Sequence, residues 1–445
     1  MEGLDLALEL GLGGIYFLLL TSIVFIYTFN KKGIEYKFLR IGFVLKLLGG
    51  FAFGLVYLLY YGYGDTFTYF ESARILSDII SDDPVYGTKL VFGYADYIRA
   101  EDLLYNHRIV NYYRGDDTFN VIKIAAFLSI IGLKSFFCTT LLFSVFAFFG
   151  QWKLYQTFAE RYPNLKKELA IAHFLIPSVI FWGSGILKDS LIIGFLGILI
   201  FQLSRLHDFR NIKLKSILII AICVFFIYTI KGYVLLALFP AVLFWIFFSV
   251  NSKLESKILK TIIFPMLLLV VTFSSIYSYT VISSIDDKYA QENLIDQAVT
   301  YQSNHFTEIE QEGTRSGYTL GEYDRSISGM LRNFIPAIVV TLFRPFPWEI
   351  KNIVMALASF ESLIFSFFAL LTLYRFKLKT LFRLLTNDSF LIMVISFTLI
   401  FAFIVGFSAY NFGALVRYKI PCLPMFSSIL VIFMYSNKSK LKIRK

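Results

Sequence analysis

The chain has 445 residues, of which 57% are hydrophobic and 16% charged, against about 45–50% and about 25% in soluble domains. That balance excludes both a water-soluble globule and a disordered chain, and its three cysteines, all in apolar segments, exclude a disulfide scaffold and a zinc ribbon. The formal charge of +11 points to a polyanionic partner only until the charges are placed along the sequence.

Eleven apolar runs approach or exceed the length needed to cross about 30 Å of hydrocarbon at about 1.5 Å per residue. They are Leu10–Phe29, Ile41–Tyr61, Phe136–Trp152, Leu169–Gly185, Ser190–Ser204, Ser216–Ile230, Gly232–Val250, Thr261–Val281, Asn352–Tyr374, Ser389–Phe407 and Ile420–Ser436. In lipid each segment must satisfy its own backbone N–H and C=O groups, which selects helices. The expected fold is all-α: a polytopic membrane helix bundle of about 11 transmembrane helices, one membrane domain over 1–445. The first run follows an acidic Met1–Glu9 where a basic region belongs, so it is expected to be retained and not cleaved as a signal peptide.

With the N-terminus outside and the C-terminus inside, every second connection is basic. Lys31, Lys32, Lys37 and Arg40 open the series, followed by Lys153, Arg161, Lys166 and Lys167. Arg205, Arg210, Lys213 and Lys215 come next, then Lys253, Lys257 and Lys260, then Arg375, Lys377, Lys379 and Arg383, and last the Lys438–Lys445 tail. The net charge thus reflects membrane topology, and no nucleic-acid partner is expected.

Two connections are far longer than turns, and both fall outside: 62–135 and 282–351. Loops longer than about 15 residues in a compact protein are usually functional or disordered, and the first is rich in tyrosine, from Tyr63 to Tyr113. Each ends in an amphipathic stretch, Phe119–Lys134 and Ser326–Phe343, read as a helix lying in the interface. The alternative, that both are further spans, preserves the same orientation for the rest of the chain.

Four outer segments carry candidate chemistry. Asp65, in Gly62-Tyr63-Gly64-Asp65-Thr66, stands at a membrane surface on a glycine-permitted turn. It is placed to act as general base on a substrate hydroxyl, with aromatic neighbours to desolvate it, or to cap a helix over about Thr68–Ile80. In the tight turn Phe181–Ser190, Lys188 is a candidate to hold a phosphate and Asp189 to orient it, or the two neutralise each other as an anchor; Lys231 occupies a similar turn. Prolines hold Arg344 and Glu349 in Arg344-Pro345-Phe346-Pro347-Trp348-Glu349, where arginine suits bidentate recognition of an anion or, with Trp348, anchors the chain at the membrane surface. Asn411, Arg417 and Lys419, ahead of Pro421 and Pro424, form a second anion seat or a translocation stop.

Other chemistries are missing. The four histidines are scattered, so no metal centre is expected, and no GxxxxGK[ST] phosphate loop exists. The acidic pairs Asp82-Asp83, Asp116-Asp117 and Asp286-Asp287 read as solvated loops in preference to divalent-ion sites. Lys46 and Glu361 are the main charges inside spans, fewer than an ion-coupled transporter usually carries, and there is no internal repeat.

With Asp65 just past an apolar run and an outer loop holding amphipathic stretches, the chain resembles the polyprenyl-phosphate-sugar-dependent membrane glycosyltransferases of the GT-C fold, with one extra N-terminal span. The Arg344-Pro345 segment and the Arg417-Tyr418 to Pro424 ending are similar to those of bacterial surface-polysaccharide enzymes, including Wzy-type O-antigen polymerases. The resemblance implies a sugar moved from a polyprenyl (pyro)phosphate to an acceptor hydroxyl on the outer face. Asp65 is then the base, and Arg344, Arg417, Lys419 and Lys188 stabilise the departing phosphate. No cofactor beyond the lipid-linked donor is implied. The implied partners are membrane lipids and a polyprenyl-linked glycan, and the implied location is a bacterial cytoplasmic membrane. A lipid-linked-sugar flippase and a non-catalytic envelope scaffold are the competing classes.

Overall fold

The computed structural model describes residues 5–92, 104–105, 108–109, 116–207, 213–253, 317–321, 329, 332–351, 353–375, 384 and 388–435. The expected span Thr261–Val281, the acidic pair Asp286-Asp287 and much of both long connections lie outside them. The described residues are almost wholly helical; the only strands among them are the two-residue antiparallel pair Leu104–Tyr105 and Arg108–Ile109.

Among the described residues, eight helices are long and apolar enough to cross a membrane. In chain order these are α1 (Leu6–Thr28), α2 (Ile34–Val56, running on through Tyr61), α6 (Phe136–Arg161), α9 (Lys188–His207), α10 (Leu214–Lys231), α11 (Tyr233–Lys253), α13 (Ile353–Arg375) and α14 (Ser389–Ser408). Between them lie α3 (Asp65–Asp82), α4 (Pro84–Phe92), α5 (Asp116–Ile131), α7 (Lys166–Phe174), α8 (Pro177–Phe181) and α12 (Phe334–Phe343). The chain closes on α15 (Phe412–Tyr418) and α16 (Leu423–Tyr435). The protein is therefore a polytopic α-helical integral membrane protein.

Two of the eleven expected spans are not single long helices. Over Leu169–Gly185 the chain breaks between α7 and α8, because Pro177 lacks an N–H and restricts Ile176 before it. Ile420–Ser436 belongs to a broken pair, α15 and α16, bent by 69°. Pro421 lies in that bend and Pro424 in the first turn of α16, where a missing N–H costs nothing.

The residues cluster into two compact units, Met1–Glu160 with Val179–Lys231, and Arg161–Ser178 with Gly232–Lys445. In the first, α6 and α9 meet through glycines. A Cβ added at Gly150 would stand 2.0 Å from the Gly194 carbonyl oxygen, and one at Gly197 would stand 2.0 Å from that of Gly150. Small residues let membrane helices approach to backbone contact, where dispersion replaces the missing hydrophobic drive. The buried Glu9 of α1 accepts from Ser135 Oγ at 2.7 Å and from Phe137 N at 3.3 Å, so a carboxylate satisfies the positive start of α6. α3 packs on α5, and Asp78 of α3 binds Lys134 at 2.6 Å just past α5.

In the second unit α14 is the common wall for α11 and α12. Trp245 meets Phe390 edge-on at 5.6 Å, and Thr341 donates to the Ala402 carbonyl at 2.7 Å. Ahead of α14, Asp388 accepts from Leu391 N at 3.2 Å and from the buried Tyr162 hydroxyl at 2.5 Å. Burial, then the Asp388 charge and hydrogen bond, hold Tyr162 far above the ordinary tyrosine range.

Candidate functional site

The first unit builds its site from the end of α2. Tyr57–Tyr61 widens into a π turn, a feature frequent at functional sites. Gly62 (φ 69°) and Gly64 (φ 131°) then reverse the chain in backbone conformations that side chains disfavour. Gly64 is the cap residue of α3, and Asp65 is its first residue, half-buried. The carboxylate thus sits one position inside the helix, at its positive end, and the expected Thr68–Ile80 helix begins earlier, at Asp65.

Aromatic rings surround this turn. Tyr57 lies 4.5 Å from Phe53, 6.1 Å from Phe67 and 6.4 Å from Trp182. Phe67 in turn meets Phe136 at 5.0 Å. The turn before α9 abuts the same cluster: a Cβ at Gly185 would stand 2.3 Å from the Phe53 ring. Lys188 begins α9 half-buried, while the neighbouring Asp189 is fully buried and ion-paired with Lys231 at the end of α10. Asp189 stands at one helix start and Lys231 at one helix end, so each complements a dipole as well as the other. Lys46, inside α2 and buried, donates to the Val179 carbonyl at 2.8 Å.

In the second unit Arg344 ends α12 and leads through a cis Arg344-Pro345 bond into the turn Pro347–Glu349. Glu349 grips the Arg344 guanidinium: Nε donates to both carboxylate oxygens, at 3.0 and 3.1 Å, and Nη2 donates to Oε1. Glu349 also accepts from Phe346 N at 2.7 Å. The guanidinium lies 5.0 Å from the Phe412 ring centre and 5.6 Å from that of Tyr318. Burial raises the Tyr318 hydroxyl above its ordinary range, although its backbone bond and the Arg344 charge pull the other way.

Lys419 is wholly buried. Its ammonium donates to the Arg344 carbonyl at 3.0 Å and to Ser362 Oγ at 3.3 Å, and Ser362 donates to the same carbonyl at 3.1 Å. Lys419 thereby sets where Arg344 stands. The buried Glu361 beside Ser362 accepts from the amide and hydroxyl of Ser178, at 2.8 and 2.7 Å. Asn411 caps α15 by accepting from Gly413 N at 2.7 Å and bridges to Gly317. Arg417 is half-buried, 5.3 Å from the Tyr418 ring.

A hollow of about 410 Å³ opens beside the Arg344–Glu349 pair, walled by Pro336, Val339, Phe346 and Trp348. Of the expected site residues, Arg344, Glu349 and Lys419 form one connected group. Asp65, Lys188 and Asp189 share the first unit. Lys231 as the partner of Asp189, and Ser362 as the second donor to Arg344, have no motif of their own; the lone carboxylate Glu361 in an apolar run is the one signal of the buried polar set. Among the described residues no group of three or more His, Cys, Asp or Glu side chains is arranged to hold a metal.

The fold and these two polar sites define a polytopic membrane protein with charged groups gathered beside apolar helices. No protein-family model, curated protein or solved structure matches the chain.

Proposed function

We propose that the protein is a membrane glycosyltransferase that moves a sugar from a polyprenyl (pyro)phosphate to an acceptor hydroxyl on the outer face. In this reading the N-terminus is outside, and Asp65 is the general base. The acceptor oxygen attacks the anomeric carbon, its proton passes to the Asp65 carboxylate, and the sugar–phosphate bond breaks. The electron pair leaves with the lipid phosphate, towards which Lys188 supplies positive charge. The observation that carries the reading is a half-buried carboxylate that follows an apolar helix directly, in an aromatic-walled turn that also borders the start of α9.

The test is complementation of a deletion strain by the wild type and by Asp65→Asn, with lipid-linked and surface glycans profiled by mass spectrometry. Loss of one glycan, or accumulation of its lipid-linked precursor, in both the deletion and the variant is the expected result. Full restoration by Asp65→Asn would remove the base. Product length separates single transfer from Wzy-type polymerisation.

A transporter of lipid-linked sugar is the second reading. It is favoured by Lys46 and Glu361, buried on apolar helices and held by neutral groups of the backbone and Ser178, since charges at membrane depth commonly line a path. Movement of labelled lipid-linked sugar across a liposome bilayer without a new glycosidic bond would decide for it.

A further inference from the structure

The hollow beside Arg344 has a volume of about 410 Å³, within the range of about 300–1,000 Å³ for small-molecule sites. One wall is aromatic. Trp348 stacks against Phe346 at 4.8 Å and 26°, and it is 77% exposed. The other three tryptophans, Trp152, Trp182 and Trp245, are buried. Pro336 and Val339 add apolar lining, and the polar side chains are Thr319 and the Arg344–Glu349 pair.

The charge state of that pair selects the ligand. Glu349 takes Nε and Nη2 of Arg344, so the two form a neutral unit. Among the described residues Nη1 makes no hydrogen bond, which leaves its two N–H groups to an incoming oxygen. A phosphate accepting from Nη1 would lie on the far side of the guanidinium from the Glu349 carboxylate, which would cancel part of the attraction. A hydroxyl or ring oxygen carries no net charge and loses nothing. An exposed aromatic face, apolar walls and donors without net charge together match a neutral sugar, whose C–H face covers a ring while its oxygens accept hydrogen bonds.

We propose that this hollow is a saccharide subsite, in which a neutral sugar ring stacks on Trp348 and accepts hydrogen bonds from Arg344, while Glu349 weakens the pull on anions. The proposal rests on the glycan-building reading for the origin of its ligand.

Saturation-transfer proton NMR on the full chain in nanodiscs tests it with a panel of neutral methyl glycosides and disaccharides at millimolar concentration, and phosphorus-31 line broadening reads the binding of inorganic pyrophosphate. The expected result is transfer to at least one neutral saccharide, retained in Trp348→Phe and lost in Trp348→Ala, with little broadening of the pyrophosphate phosphorus line. Glu349→Gln should reverse the selectivity and admit pyrophosphate. Binding of pyrophosphate and of no saccharide by the wild type would make the hollow an anion seat and overturn the proposal. So would strong quenching of Trp348 by brominated lipid with no saccharide transfer, which would make it a membrane anchor. Binding needs no turnover, so a silent Asp65→Asn with intact saccharide transfer would sink the enzyme reading alone. Loss of transfer with an essential Asp65 would sink only this subsite.

Discussion

Replacing Lys231 by methionine keeps the length of the side chain and removes its charge. The fully buried Asp189 then loses its cation while remaining out of contact with water. Breaking a buried pair from one side costs about 3–5 kcal/mol, chiefly as the penalty on the charge left behind. The dipole at the end of α10 loses its complement as well, at about 0.3–1 kcal/mol. At about 1.4 kcal/mol per tenfold, the folded-to-unfolded ratio should fall by roughly two-hundred- to twenty-thousand-fold. Denaturant unfolding in micelles, followed by circular dichroism, reads this directly. The double variant Asp189→Asn with Lys231→Met removes both charges and should recover much of the loss, because a neutral pair carries little desolvation cost. A single variant that costs less than about 1 kcal/mol, or a double variant worse than the single one, would refute the view that these groups act as one buried unit.

Gly150→Ala and Gly197→Ala each place a methyl group 2.0 Å from a carbonyl oxygen across the α6–α9 contact. Overpacking of this kind costs about 1–3 kcal/mol or more, so both should melt earlier than the wild type, whereas Gly11→Ala, which meets nothing within 4 Å, should not. The Tyr162 hydroxyl is held far above its ordinary range, so the fold favours its protonated form. Its contribution is full below about pH 10, the unfolded value, and is lost progressively as pH rises beyond it. Tyr162→Phe should flatten that alkaline decline. It should also lower stability at neutral pH by about 1–3 kcal/mol, since the buried Asp388 loses a donor. Melting temperature measured from pH 7 to 11 would show both effects, and parallel curves would contradict them.

The membrane character, the helical class and eight of the long helices were legible in the sequence, because hydropathy over about 20 residues is a local quantity and lipid leaves the backbone no other solution. The helix expected over Phe119–Lys134, before the third apolar run, stands as α5, Asp116–Ile131. The turn at Asp65 was legible as well, since glycines at 62 and 64 mark positive φ. The Arg344–Glu349 pair is a local feature too, five residues apart on a proline-bound turn.

What only the tertiary structure decided is which charges meet. Asp189 and Lys231 are 42 residues apart, and Lys419 reaches the Arg344 carbonyl across 75. Sequence alone counted Lys419 and Arg344 as two cations for one anion. In the structure one positions the other, and Arg344 is already neutralised by Glu349. Hydropathy sums over a window and does not register that a proline inside it ends a helix, as at Pro177. Nor does it register which neighbouring backbone a buried charge will find. Membrane insertion follows from the content of each segment, but the polar sites depend on partners brought together by helix packing, which no single segment contains.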